Sequence, residues 1–444
     1  MGVAMAIIAP KGRKPLCADA LFRLVRSGFA TIPDHRSDEV DMSLTDALMS
    51  GCAMFSLKSP SLLACDKQRV EGNVETIYGM PHAPCDTRMR ERLAPVSPES
   101  LRASFKSVVR QLQRGTALEE MVLLDGYSLL ALDGTGYFPS QTLHCDSCLH
   151  KVHRKGAITY YPPLLGAAIL HPDRRAVIPL MPEPMIQQDG TEQNACERHA
   201  AKRFMTKLRQ DHPHRKCIVT EDNLSANAPP IEALHDAACH YILGVKEGDH
   251  PELFNQVQAA EDAGAVTAYE RHDRAAAVVQ RFRFVNAMPL KASRADVRVN
   301  CIEYWETTQD QGQHVSWVTA LRVSKRNVYK LMQGGRARWK SENETLNTWK
   351  HQGYNFAHND GHGAQNLSVV FATLMMLAFL VDQTQQSCCA LFQAVWAQLG
   401  SKRLLWERIH ALFYDYALTS MRQLFEALLY GFKKSHPIIA SDSS

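Results

Sequence analysis

The stretch Leu129-Leu130-Ala131-Leu132-Asp133-Gly134-Thr135-Gly136 decides how the middle of this chain is read. Four apolar residues in a row, introduced by the turn signal Asp125-Gly126, predict a strand. Its end is abrupt: an acid, then two glycines around a threonine. A carboxylate placed where a strand stops, beside residues without side chains, can stand clear above the sheet. An aspartate that merely closes the turn after a strand is the ordinary alternative.

Downstream, Ile158 to Leu170 is apolar and aromatic and is closed by His171-Pro172-Asp173, and Ala176 to Leu180 follows. With Leu129–Leu132 these predict three consecutive strands, paired antiparallel. A helix is expected over roughly Ala195 to Arg209. The strand Cys217 to Thr220 then runs directly into Glu221-Asp222, so a second acid sits at a strand end as Asp133 does. A helix (Ile231 to Ala238) and a strand (Tyr241 to Val245) complete the series. Three strands, a helix and a further strand is the order of a ribonuclease H-like sheet.

The flanks differ in texture. From 250 to about 325 a short helical piece gives way to near-alternating segments, Val278–Val285, Val297–Ile302 and His314–Val323, which predict a β-rich insertion. From Tyr329 the chain reads as helices over about 336–350, 365–382, 385–399, 402–417 and 419–433. Residues 1 to about 120 also read as helices. Ser97-Pro98-Glu99 is a helix start, and in the helix that follows Leu101, Phe105, Val108, Val109 and Leu112 form the apolar face. Arg102, Lys106, Arg110 and Arg114 form a basic stripe; a solvated helix face and a track for phosphates are both open readings. The expected organisation is a helical N-terminal region (1–120), a core in two parts (121–249 and 326–385) split by the insertion (250–325), and C-terminal helices (386–444).

Composition bounds the answer loosely. The chain has 444 residues, 45% of them apolar and 22% charged, with a formal charge of +4. That is enough to bury a core in two or three domains, and it neither demands nor excludes a nucleic-acid partner. Twelve cysteines spread thinly fit reduced thiols in a cytoplasmic protein better than a disulfide framework. The apolar N-terminus precedes its basic residues Lys11, Arg13 and Lys14, the reverse of an export signal. The run Leu367 to Val381, ending at Asp382, is short for a membrane span and fits a buried core helix.

A third acid comes from helix geometry. Trp339, Glu342, Leu346 and Trp349 recur at i, i+3, i+7 and i+10, which on a regular α-helix puts Glu342 on the inward stripe. A carboxylate there needs compensation. Arg338, four residues earlier, can supply it; so can a metal ion. Glu344 projects to the opposite side with Lys340, as a solvated i,i+4 pair does.

Together these residues are recognisable. Asp133-Gly-Thr; His171-Pro-Asp, Pro182-Glu-Pro, Asp189-Gly and Cys196-Glu; Thr220-Glu-Asp222-Asn; Arg338-Trp-Lys-Ser-Glu342-Asn-Glu; and Tyr354-Asn-Phe-Ala-His-Asn-Asp-Gly-His-Gly resemble DDE-type bacterial insertion-sequence transposases of the insertion-sequence-four type, over about residues 40 to 385. The resemblance implies a ribonuclease H-like catalytic core interrupted by a β-rich insertion. It implies a triad of Asp133, Asp222 and Glu342, which holds two Mg²⁺ (or Mn²⁺) ions about 3.5–4 Å apart. It also implies double-stranded DNA as partner, with the element's terminal repeats bound by the N-terminal helices, and a homodimer on that DNA. Arg338 and Lys350 would touch phosphates near the scissile bond. In the Tyr-Arg-Glu-Lys signature of this type, Arg338 and Glu342 match. The Tyr position falls on Gly335, and Lys350 lies one residue beyond its place. The activity implied is cleavage at the element's ends followed by strand transfer. A catalytically silent DNA-binding derivative, or a ribonuclease H-fold nuclease for repair or resolution, are the competing readings.

Two other clusters stand out. His144-Cys145-Asp-Ser-Cys148-Leu-His150, with His153, has zinc-ligand spacing but lacks a second Cys pair; a loop beside DNA is the alternative. His358-Asn-Asp-Gly-His362-Gly reads as a turn after a helix, with Asp360 a remote substitute for the third acid and His362 a phosphate contact or a plain loop residue.

Overall fold

The computed structural model describes residues 16–36, 42–68, 73–144, 148–153, 156–186, 193–222, 226–273, 278–307, 312–363 and 365–431. Its contacts divide the chain into two units. Residues 116–351 and 356–364 form a sheet unit; 1–115, 352–355 and 365–444 form a helical unit. The fold class is mixed α/β, with a large mixed sheet and helical N- and C-terminal regions.

The strands of the sheet unit are β1 (Val122–Leu124), β2 (Tyr127–Gly136), β3 (Leu149–Val152), β4 (Ile158–Tyr161), β5 (Pro163–Leu170), β6 (Ile178–Pro179), β7 (Glu183–Pro184), β8 (Cys217–Glu221), β9 (His240–Val245), β10 (Thr267–Asp273), β11 (Val278–Lys291), β12 (Arg294–Thr307) and β13 (Gly312–Thr319). Leu129, Leu130 and Ala131 are fully buried and Leu132 nearly so, as expected of a strand covered on both faces. β2 pairs antiparallel with β5, which pairs antiparallel with β6; on its other side β2 runs parallel to β8, and β8 parallel to β9. The spatial order is β6-β5-β2-β8-β9. Each parallel step is bridged by a helix: Gln193–Asp211 before β8 and Ala228–Asp236 before β9, since parallel neighbours cannot be joined by a tight turn.

Two departures from the sequence reading have local causes. Ile158–Leu170 is two strands, because Pro162 and Pro163 deprive the ladder of two donors. β4 instead forms a separate hairpin with β3. The β-rich stretch forms an antiparallel ladder that joins the main sheet, β13 pairing with β9 (Thr319 opposite Ile242), so that β10 to β13 extend one continuous sheet.

In the helical unit, Leu101 is buried just ahead of the helix Arg102–Arg114, and within that helix Phe105, Val108, Val109 and Leu112 are buried, as their spacing predicts. Gly28 of Ala18–Phe29 lies against this helix, and a Cβ there would stand 2.9 Å from the Ser104 Cα. Leu367–Cys388 meets a membrane-spanning helix's requirements in length and apolarity, but 94% of its apolar window is buried inside the protein. It packs on Leu44–Ser56 and Arg102–Arg114. This helix does not stop at Asp382. The Asp382 carboxylate accepts from Lys58 Nζ and from the Tyr354 hydroxyl, and Lys58 Nζ lies 3.7 Å from the Tyr354 ring centroid and 4.1 Å from that of Trp406. The helices Ala390–Leu399, Lys402–Asp415 and Met421–Tyr430 follow. Contacts thus group 365–385 with the first 115 residues, whereas the sequence reading placed that stretch with the sheet.

Candidate active site

The register of two parallel strands brings the first two acids together. Ala131 on β2 lies beside Thr220 on β8. Asp133 and Asp222 each lie two residues further along, at the same end of adjacent strands. Parity of side-chain direction puts both on one face of the sheet. Asp133 is half-buried and Asp222 exposed.

The third acid arrives on a segment less regular than expected. A helix Val328–Arg336 packs flat on the sheet through Gly334 and Gly335. A Cβ on Gly334 would stand 2.9 Å from Leu123 Cδ2 and 3.0 Å from Ile242 Cδ1, and one on Gly335 2.6 Å from Trp317 Cε2. The helix breaks after Arg336; Ser341–Leu346 is then π-helical and Asn347–His351 α-helical. The widened turn shifts the inward face. Ser341, Thr345, Thr348 and Trp349 are buried, while Trp339 is 50% exposed and Glu342 is exposed. The predicted inward stripe of Trp339, Glu342 and Leu346 is therefore corrected. It assumed one regular α-helix over 336–350, and π-helical hydrogen bonding changes the angular spacing.

Glu342 nevertheless acts on the same spot. The Asp133 carboxyl is pushed up to about 6, first by burial and further by the charges of Asp222 and Glu342, with the Arg338 guanidinium opposing the rise. The three acids and Arg338 share one electrostatic neighbourhood. Glu344 is not among the charges that shift Asp133. Glu344 acts on Lys340, whose Nζ donates to the carbonyls of His171 (3.0 Å), Arg174 (2.9 Å) and Pro172. Asp360 is buried and acts on Tyr137, and its carboxylate lies 3.7 Å from His358 Nε2, so the alternative third acid stands elsewhere.

Sequence reading missed a fourth carboxylate, Glu197. The helix Gln193–Asp211 sets it on the end of β2, where Oε1 accepts the Gly134 N–H at 3.2 Å. Its carboxyl is pushed up to about 7 by burial, then by Asp133 and Asp222. The acid following Cys196 was visible in the sequence, but nothing in local spacing says which strand a helix residue will meet.

Beside the acids opens a cleft of about 800 Å³, lined among others by Asp222, Lys246, His314, Arg336, Arg338 and Trp339. Arg336 is held by Glu306 (2.8 Å); Arg338, by contrast, is felt at Asp133. Lys350 is exposed. Of the basic stripe in the helical unit, Arg110 and Arg114 are exposed and Lys106 half-buried, while Arg102 is bound by the Glu99 carboxylate. The stripe is thus less purely basic than its spacing suggested.

Of the cysteine-histidine cluster, Cys145 lies outside the described residues. Cys148 Sγ is 3.7 Å from His362 Nε2, and His144 stacks on Tyr160 at 4.2 Å. Among the described residues, no three of His, Cys, Asp and Glu form a ready-made metal cage, there or at the acids. A structural zinc site takes a closed tetrahedral shell, which the described residues of this cluster do not make up by themselves. For Mg²⁺ the donor set fits. That ion takes oxygen ligands, keeps several waters and binds through one or two carboxylates plus substrate phosphate. Acids that oppose one another's ionisation are a set that a divalent cation relieves.

A scan against protein families and a search of curated proteins give no match. Among solved structures, the NurA nuclease from Sulfolobus solfataricus aligns with 51% of this chain and 82% of its own, at 11% identity and a TM-score of 0.24. That superposition is too loose to speak for a shared fold.

Proposed function

We propose that this chain is a DDE transposase of the insertion-sequence-four type, which cleaves DNA at the ends of a mobile element and joins them to target DNA. One observation carries the reading: Asp133 and Asp222 lie in equal register just past the paired stretch of two adjacent parallel strands, and Glu342 acts on Asp133 from a third element. The strand order β6-β5-β2-β8-β9, with two antiparallel and then two parallel steps, supports a ribonuclease H-like core behind them.

In this reading Asp133, Asp222 and Glu342 hold two Mg²⁺ or Mn²⁺ ions. Bound there, the ions supply Lewis acidity at the scissile phosphate and an ionised water at neutral pH. The protein's own part is to orient and to balance charge. Asp133 and Asp222 fix the reacting phosphate against the sheet end. Glu342, on the exposed side, closes the set once DNA covers it. Arg338 faces the same spot and offers two parallel N–H donors to a phosphate. In the first transfer, water's oxygen bonds to phosphorus while the 3′ oxygen leaves and takes up a proton. In the second, the oxygen of that 3′ hydroxyl gives up its proton and bonds to a phosphorus of target DNA, while the target strand's own 3′ oxygen leaves and takes up a proton. Pairing two ends calls for at least two copies on the DNA.

The test is cleavage of DNA carrying the element's ends, with and without Mg²⁺ or Mn²⁺. Each of Asp133→Ala, Asp222→Ala and Glu342→Ala is expected to lower the rate by a factor of about 100 or more, the scale seen when a group stabilising transition-state charge is removed. Circular dichroism should show each variant still folded. Undiminished cleavage in any of the three sinks that residue's assignment. Binding without cleavage by the wild type would make the chain a silent DNA-binding derivative, and cleavage without strand transfer a nuclease.

A further inference from the structure

Glu197 makes a contact that the triad does not require. Gly134, directly after Asp133, has no positive φ that would demand glycine. What demands it is space: a Cβ there would lie 2.5 Å from Glu197 Oε2 and 2.8 Å from Cδ. The missing side chain is the seat of the Glu197 carboxylate, which accepts the Gly134 N–H at 3.2 Å. A glutamine could make the same hydrogen bond without its charge. A carboxylate in that seat instead stands in the field of Asp133 and Asp222, and each of those two makes its ionisation harder. Such repulsion is a standing cost unless something positive is meant to arrive.

We propose that Glu197 is a positioning residue of this site: it clamps the Gly134 amide, fixing the strand end that bears Asp133, and adds a fourth negative charge to the set that draws in a divalent cation. The proposal rests on the reading of the site as cation-dependent. It also explains why two elements distant in the chain, the end of β2 and the helix Gln193–Asp211, meet through a small residue and an acid.

The test uses the full chain and Mn²⁺ as probe, titrated by calorimetry and by electron paramagnetic resonance of the free ion. Glu197→Gln keeps the clamp and loses the charge. Without divalent cations it is expected to unfold no lower than the wild type, since it loses a charge that burial and its neighbours oppose, and to bind Mn²⁺ about 10–100-fold more weakly, the usual effect of losing an outer partner of a metal site. Gly134→Ala evicts the carboxylate and should weaken Mn²⁺ binding at least as much. Because Gly134→Ala and Glu197→Ala break the same contact, the double variant should be little worse than either single one in unfolding free energy. Wild-type Mn²⁺ affinity in Glu197→Gln, or additive losses in the double variant, overturns the proposal. Failure of the functional reading looks different: the wild type would then bind no Mn²⁺ and cleave no DNA. The Gly134–Glu197 stability cycle would still decide the clamp.

Discussion

At the scale of single residues, Asp133 carries a pH signature. Folding raises its carboxyl from the ordinary 3.8 to about 6, so the folded chain keeps a proton that the unfolded chain gives up. Stability from that proton is fully present below about pH 3.8 and is lost as pH rises to about 6. Asp133→Asn cannot ionise and escapes the loss. In urea unfolding without divalent cations, its advantage over the wild type should grow from none at pH 3.5 to on the order of 1–2 kcal/mol at pH 7, allowing for solvent screening. Added Mg²⁺ should reverse the ranking, because only the carboxylate binds it. Equal pH profiles for the two proteins would show that neither burial nor like charges oppose the ionisation of Asp133. Both aspartates could be singled out in the sequence because each follows an apolar run; β8 does stop at Glu221, just before Asp222, whereas β2 runs on through Asp133 to Gly136. Glu197 could not be singled out, because its importance lies in a neighbour 63 residues away.

Elements show where local rules stop. β2, β5 and β8 could be read from apolar runs, and the alternating pattern of 278–323 announced strands that the structure contains. The third-acid segment was read less well. Periodicity assumes one residue angle throughout, and the π-helical Ser341–Leu346 departs from it, exposing Glu342 and turning Thr345 inward. The preceding helix gives a prediction of its own. Gly335 is pressed against the Trp317 indole, a rigid and buried ring that cannot swing aside. Gly335→Ala should destabilise the protein by about 1–3 kcal/mol, as overpacking generally does, measured by chemical denaturation. It should also lower cleavage, since the shift is passed along the chain to Arg338 and Glu342. A neutral Gly335→Ala would mean the helix can slide on the sheet without loss.

Across the whole molecule, two compact units draw on interleaved pieces of chain. The helical unit contains a buried ion pair, Lys58–Asp382, in which the Tyr354 hydroxyl also donates to Asp382 Oδ2 and the carbonyls of Phe55 and Ser56 also accept from Lys58. Burial pulls the Lys58 ammonium down and pushes the Asp382 carboxyl up, and each opposes the other's shift. Asp382→Ala leaves the ammonium buried and unpaired, and should cost about 3–5 kcal/mol in unfolding free energy. Lys58→Met with Asp382→Leu should cost less than either single change; if it costs their sum, the pair is not acting as one. None of this was legible in the sequence, where Asp382 looked like the residue that ends an apolar helix and no pattern singled out Lys58. The crossings of the chain between units at 115, 351, 355 and 364 bear on how the protein is made. On the ribosome the first 115 residues emerge long before Leu367–Cys388, the helix they pack around, and the entire sheet unit is translated in between. Throughout that interval the nascent N-terminal helices present uncovered apolar faces, so this stretch of synthesis is where the chain depends most on a chaperone.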